Sequence, residues 1–391
     1  MIQYTTPDEF KDIAPFDDCE FNEKITQLVK EPGFEHAVKY AMPDVDYPSF
    51  VEKLLLINNK SDFQLHIMSK FLDMLEAKTT SGLSIDGIEN LQQGLNYTFI
   101  TNHRDIVLDA SFLNLLFLRN GVPTTEVAIG NNLLIFEWIS DLVKLNKSFI
   151  VKRNLKMIKA LEAAKQLSGY IHHAINEKHE SVWIAQREGR SKDSNDLTQE
   201  SLIKMMGLAG GGSLIENLEQ INLCPVSISY EYDPNDYLKA REFLLKRNNP
   251  DYKKTQRDDL FSMETGLLQF KGKVHFSVRK NINQALSALD PNLEKSDIVK
   301  SVCKFIDDEI HDGYHLYPIN YIAYDKIERS NKFAENYTEQ QVADFDKYLD
   351  SQLAKITDIP NLDEEDIQFM KSSMLSMYAN PLKNKLRIES L

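Results

Sequence analysis

The sequence predicts an α/β fold: a mixed, mostly parallel sheet flanked by helices, with helical additions before and after it. Three observations predict it. Short β-rich runs alternate with longer helical segments over residues 91–317. Unusual polar residues gather directly after those runs, where open α/β sheets bind ligands. The flanking segments, 1–90 and 318–391, carry apolar residues at helical spacing instead.

In the first segment Phe50, Leu54, Leu55 and Ile57, then Phe63, Ile67, Phe71, Leu72 and Leu75, recur at helical intervals. Pro43, Pro48 and Ser81-Gly82 punctuate it. The strand-like runs of the central segment are residues 97–100, 126–129, 148–151, 181–185 and 223–230, with helices expected over 105–119, 133–145 and 155–177. Residues 266–270 and 274–278, around Lys271-Gly272-Lys273, read as a hairpin with a tight turn. The last segment holds ten acids against two lysines between Glu335 and Asp366, the pattern of a solvated helical face.

Composition excludes several function classes. With 59 Asp+Glu against 45 Lys+Arg, the formal net charge of −14 argues against a general nucleic-acid binder. That sum conceals a local reversal, because residues 144–192 carry +7 and the remainder −21. Cys19, Cys224 and Cys303 are too scattered for a disulfide framework or a zinc site, which suits a reducing compartment. The opening residues are acidic and lack a signal-peptide pattern. The longest apolar run, Ala110 to Leu118, is about half the ~18–20 residues of a membrane span. A cytoplasmic protein is expected, with peripheral association on the inner face of the membrane as the closest approach to lipid.

The polar residues after the runs supply the candidate chemistry. Thr101-Asn-His-Arg-Asp105 follows the first run, Lys152-Arg153 the third, and Gln186-Arg-Glu-Gly-Arg-Ser-Lys192 the fourth. Asp109 interrupts an otherwise apolar helix start, and a buried carboxylate needs a partner. His103, just before that helix, is a candidate partner. A carboxylate that fixes one imidazole nitrogen leaves the other free as a general base for a hydroxyl. Asp105 stands where the helix begins and reads as its N-cap, while remaining a rival partner for His103. The letters His103-Arg-Asp105 also occur in kinase catalytic loops, but Ala110 occupies the position of the required Asn and no Asp-Phe-Gly follows. His172 and His173 lack a second ligand pair, so no metal site is expected.

Taken in order, these residues resemble the glycerolipid acyltransferases, the superfamily of glycerol-3-phosphate and lysophosphatidate acyltransferases. The similar blocks are Asn102-His103 through Asp109, Phe149-Ile-Val-Lys-Arg153, Glu188-Gly-Arg-Ser191 and Cys224-Pro-Val-Ser-Ile228. All four lie within residues 98–230. Two departures stand out. Five residues separate His103 from Asp109 where the family has four, and Gln186-Arg187 replaces Phe-Pro. The resemblance implies transfer of a fatty acyl group from a thioester, acyl-CoA or acyl-ACP, to a hydroxyl of a glycerol-phosphate or lysolipid acceptor. It implies His103 as general base and Asp109 or Asp105 as its partner, with Lys152, Arg153, Glu188, Gly189, Arg190 and Ser191 holding the acceptor. No cofactor or metal is implied beyond the donor. An apolar groove is expected along Phe112, Leu116, Leu133 or Phe136. The departures leave open a non-glycerol (amino-lipid) acceptor, or a non-catalytic lipid-binding protein of the same fold.

Overall fold

A computed structural model of the protein describes residues 4–390. The outermost residues of the two expected helical flanks, 1–3 and 391, lie outside that range. The described residues form one seven-stranded sheet: β1 (Gly82–Asp86), β2 (Thr98–Thr101), β3 (Glu126–Gly130), β4 (Ser148–Val151), β5 (Val182–Ala185), β6 (Leu223–Tyr230) and β7 (Lys273–Val278). Their spatial order is β1-β7-β6-β2-β5-β3-β4. Every neighbouring pair is parallel except β6 and β7. The carboxyl ends of β6, β2, β5, β3 and β4 therefore lie along one edge.

Strand alternation loads both faces of the sheet. Ile100, Ile150, Val182 and Ile184 pack under the helix Met157–Asn176 and the helix Lys295–Asp312. Phe99 and Trp183 face the other way, against Phe112, Leu113 and Phe117 of the helix Leu108–Arg119. Phe112 and Leu116 thus belong to the core, not to the expected groove. Each flank adds a core of its own. The N-terminal helices gather Phe21, Phe34, Leu54 and Phe63, and the C-terminal ones enclose Tyr237 and Leu244 of the helix Asp236–Asn248.

Two expectations require correction. The first 90 residues are not wholly helical, because Gly82–Asp86 is the strand that continues the sheet beyond β7. Its alternating exposure follows Leu83 and Ile85, a period-two signal short enough to be hidden by the helices before it. The expected hairpin does not form either. Residues 266–268 end the helix Gln256–Leu268, which starts from a reciprocal capping box between Thr255 and Asp258. β7 then pairs with β6, forty residues and more away in sequence, and with β1.

The C-terminal flank closes over a buried titrating group of the central segment. Asp236 accepts hydrogen bonds from the Tyr348 and Tyr378 hydroxyls, each at 2.7 Å. Burial pushes its carboxyl up to about 7 even though these donors favour the ionised form. Between the ordinary value of 3.8 and about 7 the folded protein holds a proton that the unfolded chain has released. Folding stability from this group therefore falls as pH rises through that window, by at most about 1.4 kcal/mol per pH unit, and levels off above it. Asp236→Asn keeps an acceptor for the phenols but cannot ionise. Urea unfolding at pH 5 and pH 7.5 should show the variant gaining on wild type at the higher pH; an equal difference at both would contradict this account.

Candidate active site

The turn after β2 brings the first group of candidate residues together. Asn102 ends the strand by bonding Ile228 of β6 through both its amide atoms, accepting at 2.8 Å and donating at 2.9 Å. Arg104 to Val107 are not helical, and the helix begins only at Leu108. The additional residue between His103 and Asp109 is absorbed in this lead-in, and Asp109 Oδ2 meets His103 Nδ1 at 2.9 Å. The same oxygen accepts the backbone N–H groups of Arg104 (2.6 Å) and Asp105 (3.1 Å). Three donors on Oδ2 of this fully buried carboxylate offset part of the cost of burying it, while Oδ1 has no partner among the described residues.

Asp105 does not reach the imidazole. Its Oδ1 accepts the N–H groups of Val107 (2.9 Å) and Leu108 (2.8 Å), as an N-cap does. Burial and the neighbouring Asp109 charge raise its carboxyl above the ordinary range. Gly266 lies against it so closely that a Cβ there would sit 1.9 Å from Asp105 Oδ2, so that helix position has room only for glycine. Asp109→Asn should therefore lower turnover about 10²–10⁴-fold by removing the charge that orients the ring. Asp105→Asn, still a good cap, should cost under about tenfold. Parallel kinetics on the two variants check the assignment, and equal losses would reverse it.

With Nδ1 engaged, Nε2 is the free nitrogen of His103, whose ring borders a cavity of about 1690 Å³. Trp183 packs edge-on against that ring, with centroids 5.7 Å apart. The cavity wall is mostly apolar. Phe50, Phe63, Ile67 and Leu72 come from the N-terminal flank, Ala110, Leu115 and Leu118 from the helix after β2, and Met263 and Leu267 from the helix before β7. Leu133 and Phe136 line it as expected.

The basic residues enter from neighbouring strand ends. Arg153, after β4, approaches Glu188 at 3.8 Å and lies over Gly130, where a Cβ would come within 2.7 Å of its Nε. Arg190, after β5, is only 9% exposed, and its Nη1 has no partner among the described residues. Arg190 also borders the cavity, and a guanidinium there without a carboxylate partner among the described residues is suited to an anionic group. Gly189 adopts φ +70°, which turns the chain between Glu188 and Arg190.

Two expected contacts are already committed elsewhere. Ser191 is fully buried, its N–H donating to the His103 carbonyl at 2.9 Å and its hydroxyl to Asp193. Lys152 borders the cavity but is held by Asp12 and Gln166. Part of the local +7 is likewise met by acids outside the segment, with Lys178 paired to Glu126 and Lys152 to Asp12.

The cavity also holds cations that the sequence blocks do not contain. Lys192, Lys246 and Lys254 surround Glu242, and Lys239 pairs with Asp233. Burial lowers Lys192 to about 8, while the lysines lower Glu242 to about 2 against the opposing effect of its own burial. Lys239, Glu242 and Lys246 belong to the helix after β6, and no local pattern links them to His103.

Residues 82–229 match a protein-family model described as Acyltransferase. This segment resembles the acyltransferase family. All four sequence blocks fall inside it, and its first residue is the first of β1. Among solved structures, the chain is similar to the 1-acyl-sn-glycerophosphate (LPA) acyltransferase PlsC from Thermotoga maritima. The likeness covers 75% of this chain and 92% of that one, at 11% identity and a TM-score of 0.36. None of the curated proteins compared matches. No helix among the described residues is long and apolar enough to cross a membrane.

Proposed function

We propose that the protein transfers a fatty acyl group from a thioester, carried on coenzyme A or acyl carrier protein, to a hydroxyl of a glycerol-phosphate or lysolipid acceptor. The observation that carries this reading is the His103–Asp109 pair at the wall of a large apolar cavity, with the unpartnered Arg190 at the same wall. His103 Nε2 takes the acceptor's hydroxyl proton as the oxygen attacks the thioester carbonyl. The C–O bond forms, the C–S bond breaks, and the departing thiolate recovers the proton from the imidazolium. Asp109 stabilises that imidazolium and holds the ring. Arg153 and Arg190 hold the acceptor's anionic head, and the apolar wall holds the chain. Positioning of this kind accounts for much of an acyl-transfer rate.

The 2.9 Å contact that His103 and Asp109 make despite the altered block spacing supports a catalytic reading over a non-catalytic relative of the same fold. The test is thiol release from acyl-coenzyme A and acyl-carrier donors against a panel of hydroxyl acceptors, amino-lipids included, with products identified by mass spectrometry. A phosphate-bearing glyceryl product is expected. Exclusive acylation of an uncharged or amino-lipid acceptor would overturn the acceptor class, and absence of transfer in every combination would overturn the activity.

A further inference from the structure

The helix Met157–Asn176 begins off the body of the protein. Residues 154–162 are exposed without interruption, nine in succession. Four of them are large and apolar: Met157 is 88% exposed, Ile158 73%, Leu161 51% and Leu155 37%. Scattered apolar side chains on a surface need no explanation, but a contiguous group marks an interaction surface. Further along, the helix descends into the core, where Leu167, Ile171 and Ala174 are buried. Lys156 and Lys159 interleave with the apolar side chains, and exposed Lys165 follows, against the single acid Glu162. Asn154, Leu155 and Ala160 of this same projection line the cavity that contains His103.

We infer that the start of this helix docks the protein on an anionic lipid bilayer, its apolar side chains entering the headgroup layer beside the cavity opening. Charge selects the occupant. A chain of net −14 is repelled by an anionic surface as a whole, so only a locally basic face can approach it, and that approach sets the orientation. Apolar side chains interleaved with lysines at the exposed start of a helix are suited to insertion between headgroups. The use made of the surface rests on the acyl-transfer reading: docking there lets a hydrocarbon chain pass between membrane and cavity without crossing water.

The test uses the full chain and sedimentation with vesicles, either phosphatidylcholine alone or phosphatidylcholine and phosphatidylglycerol in equal parts. Wild type should bind the mixed vesicles. Met157→Asp with Ile158→Asp should weaken that binding by at least about tenfold. Lys156→Glu with Lys159→Glu should weaken it by about tenfold or more on the mixed vesicles, with little change on phosphatidylcholine alone. Both variants should keep the wild-type melting temperature, since the altered side chains are exposed. His103→Ala should bind vesicles as wild type does, which separates the surface from the chemistry. Loss of transfer with retained vesicle binding would count against the function alone. Wild-type binding by both surface variants would overturn the docking face. So would a loss confined to turnover with a carrier-protein donor, which would assign the face to an acidic protein instead.

Discussion

Alanine in place of His103 is expected to lower acyl transfer by about 10²–10⁴-fold, the usual contribution of a positioned general base. The ring is held by one strong contact, Asp109 Oδ2 to Nδ1 at 2.9 Å, and by the edge of Trp183. The variant should still fold, because His103 lies in the turn after β2 and Asp109 keeps the backbone N–H groups of Arg104 and Asp105 as donors. Donor and acceptor should still bind, since the apolar wall and the Arg153 and Arg190 side chains are unchanged. The expected signature is therefore a fall in kcat with a nearly constant KM. Thiol release from an acyl thioester, measured with the best acceptor from the panel, reads both quantities. Wild-type kcat in His103→Ala would sink the general-base assignment.

The second large effect concerns stability. Arg104 and Asp196 form a buried bidentate ion pair, with contacts of 2.9 Å and 2.6 Å and side-chain exposures of 5% and 0%. Asn102 donates to the same carboxylate at 3.4 Å, Tyr314 adds its hydroxyl, and His311 bonds the Asp196 carbonyl at 2.9 Å. This network joins the turn that carries His103 to the loop after β5 and to the helix Lys295–Asp312. Asp196→Ala leaves a guanidinium buried without its counter-charge. Such a break costs about 3–5 kcal/mol, a large part of the stability of an ordinary domain. The urea midpoint should fall accordingly with little change in slope. Arg104→Met combined with Asp196→Leu removes both charges together and should cost less than Asp196→Ala alone. A single variant as stable as wild type would show that the pair holds nothing in place.

Some of the site is legible in the linear chain because its signals are local. A β-rich run followed by Asn102-His103, or by Glu188-Gly-Arg190, announces a strand end and a polar turn within a few residues. The acid in the first turn of an apolar helix is equally visible at Asp109. Which acid meets the imidazole is another matter. At about 100° per residue, the direction of Asp109 depends on where the helix starts. That start is set by Asp105 capping Val107 and Leu108, a detail of turn geometry that spacing alone leaves open. The mistaken hairpin has a similar origin: a short apolar run before Lys271-Gly272 fits a strand or a helix end, and the capping box that decides it begins at Thr255.

Residue types and short-range periodicity were enough to establish an α/β sheet and the strand ends that bear the polar groups, and to single out His103 with a nearby carboxylate. They also revealed a basic centre within an acidic chain, though not that many of its lysines are spent on Glu126, Glu180 and Asp12. The cavity required the folded chain. Its walls come from the N-terminal helices, from the helix before β7 and from the lysines after β6, segments separated by up to some two hundred residues. Their meeting follows from the strand order β1-β7-β6-β2-β5-β3-β4, in which sequence neighbours are seldom sheet neighbours. Periodicity reports which face of an element is buried; it carries no information about which distant element buries it.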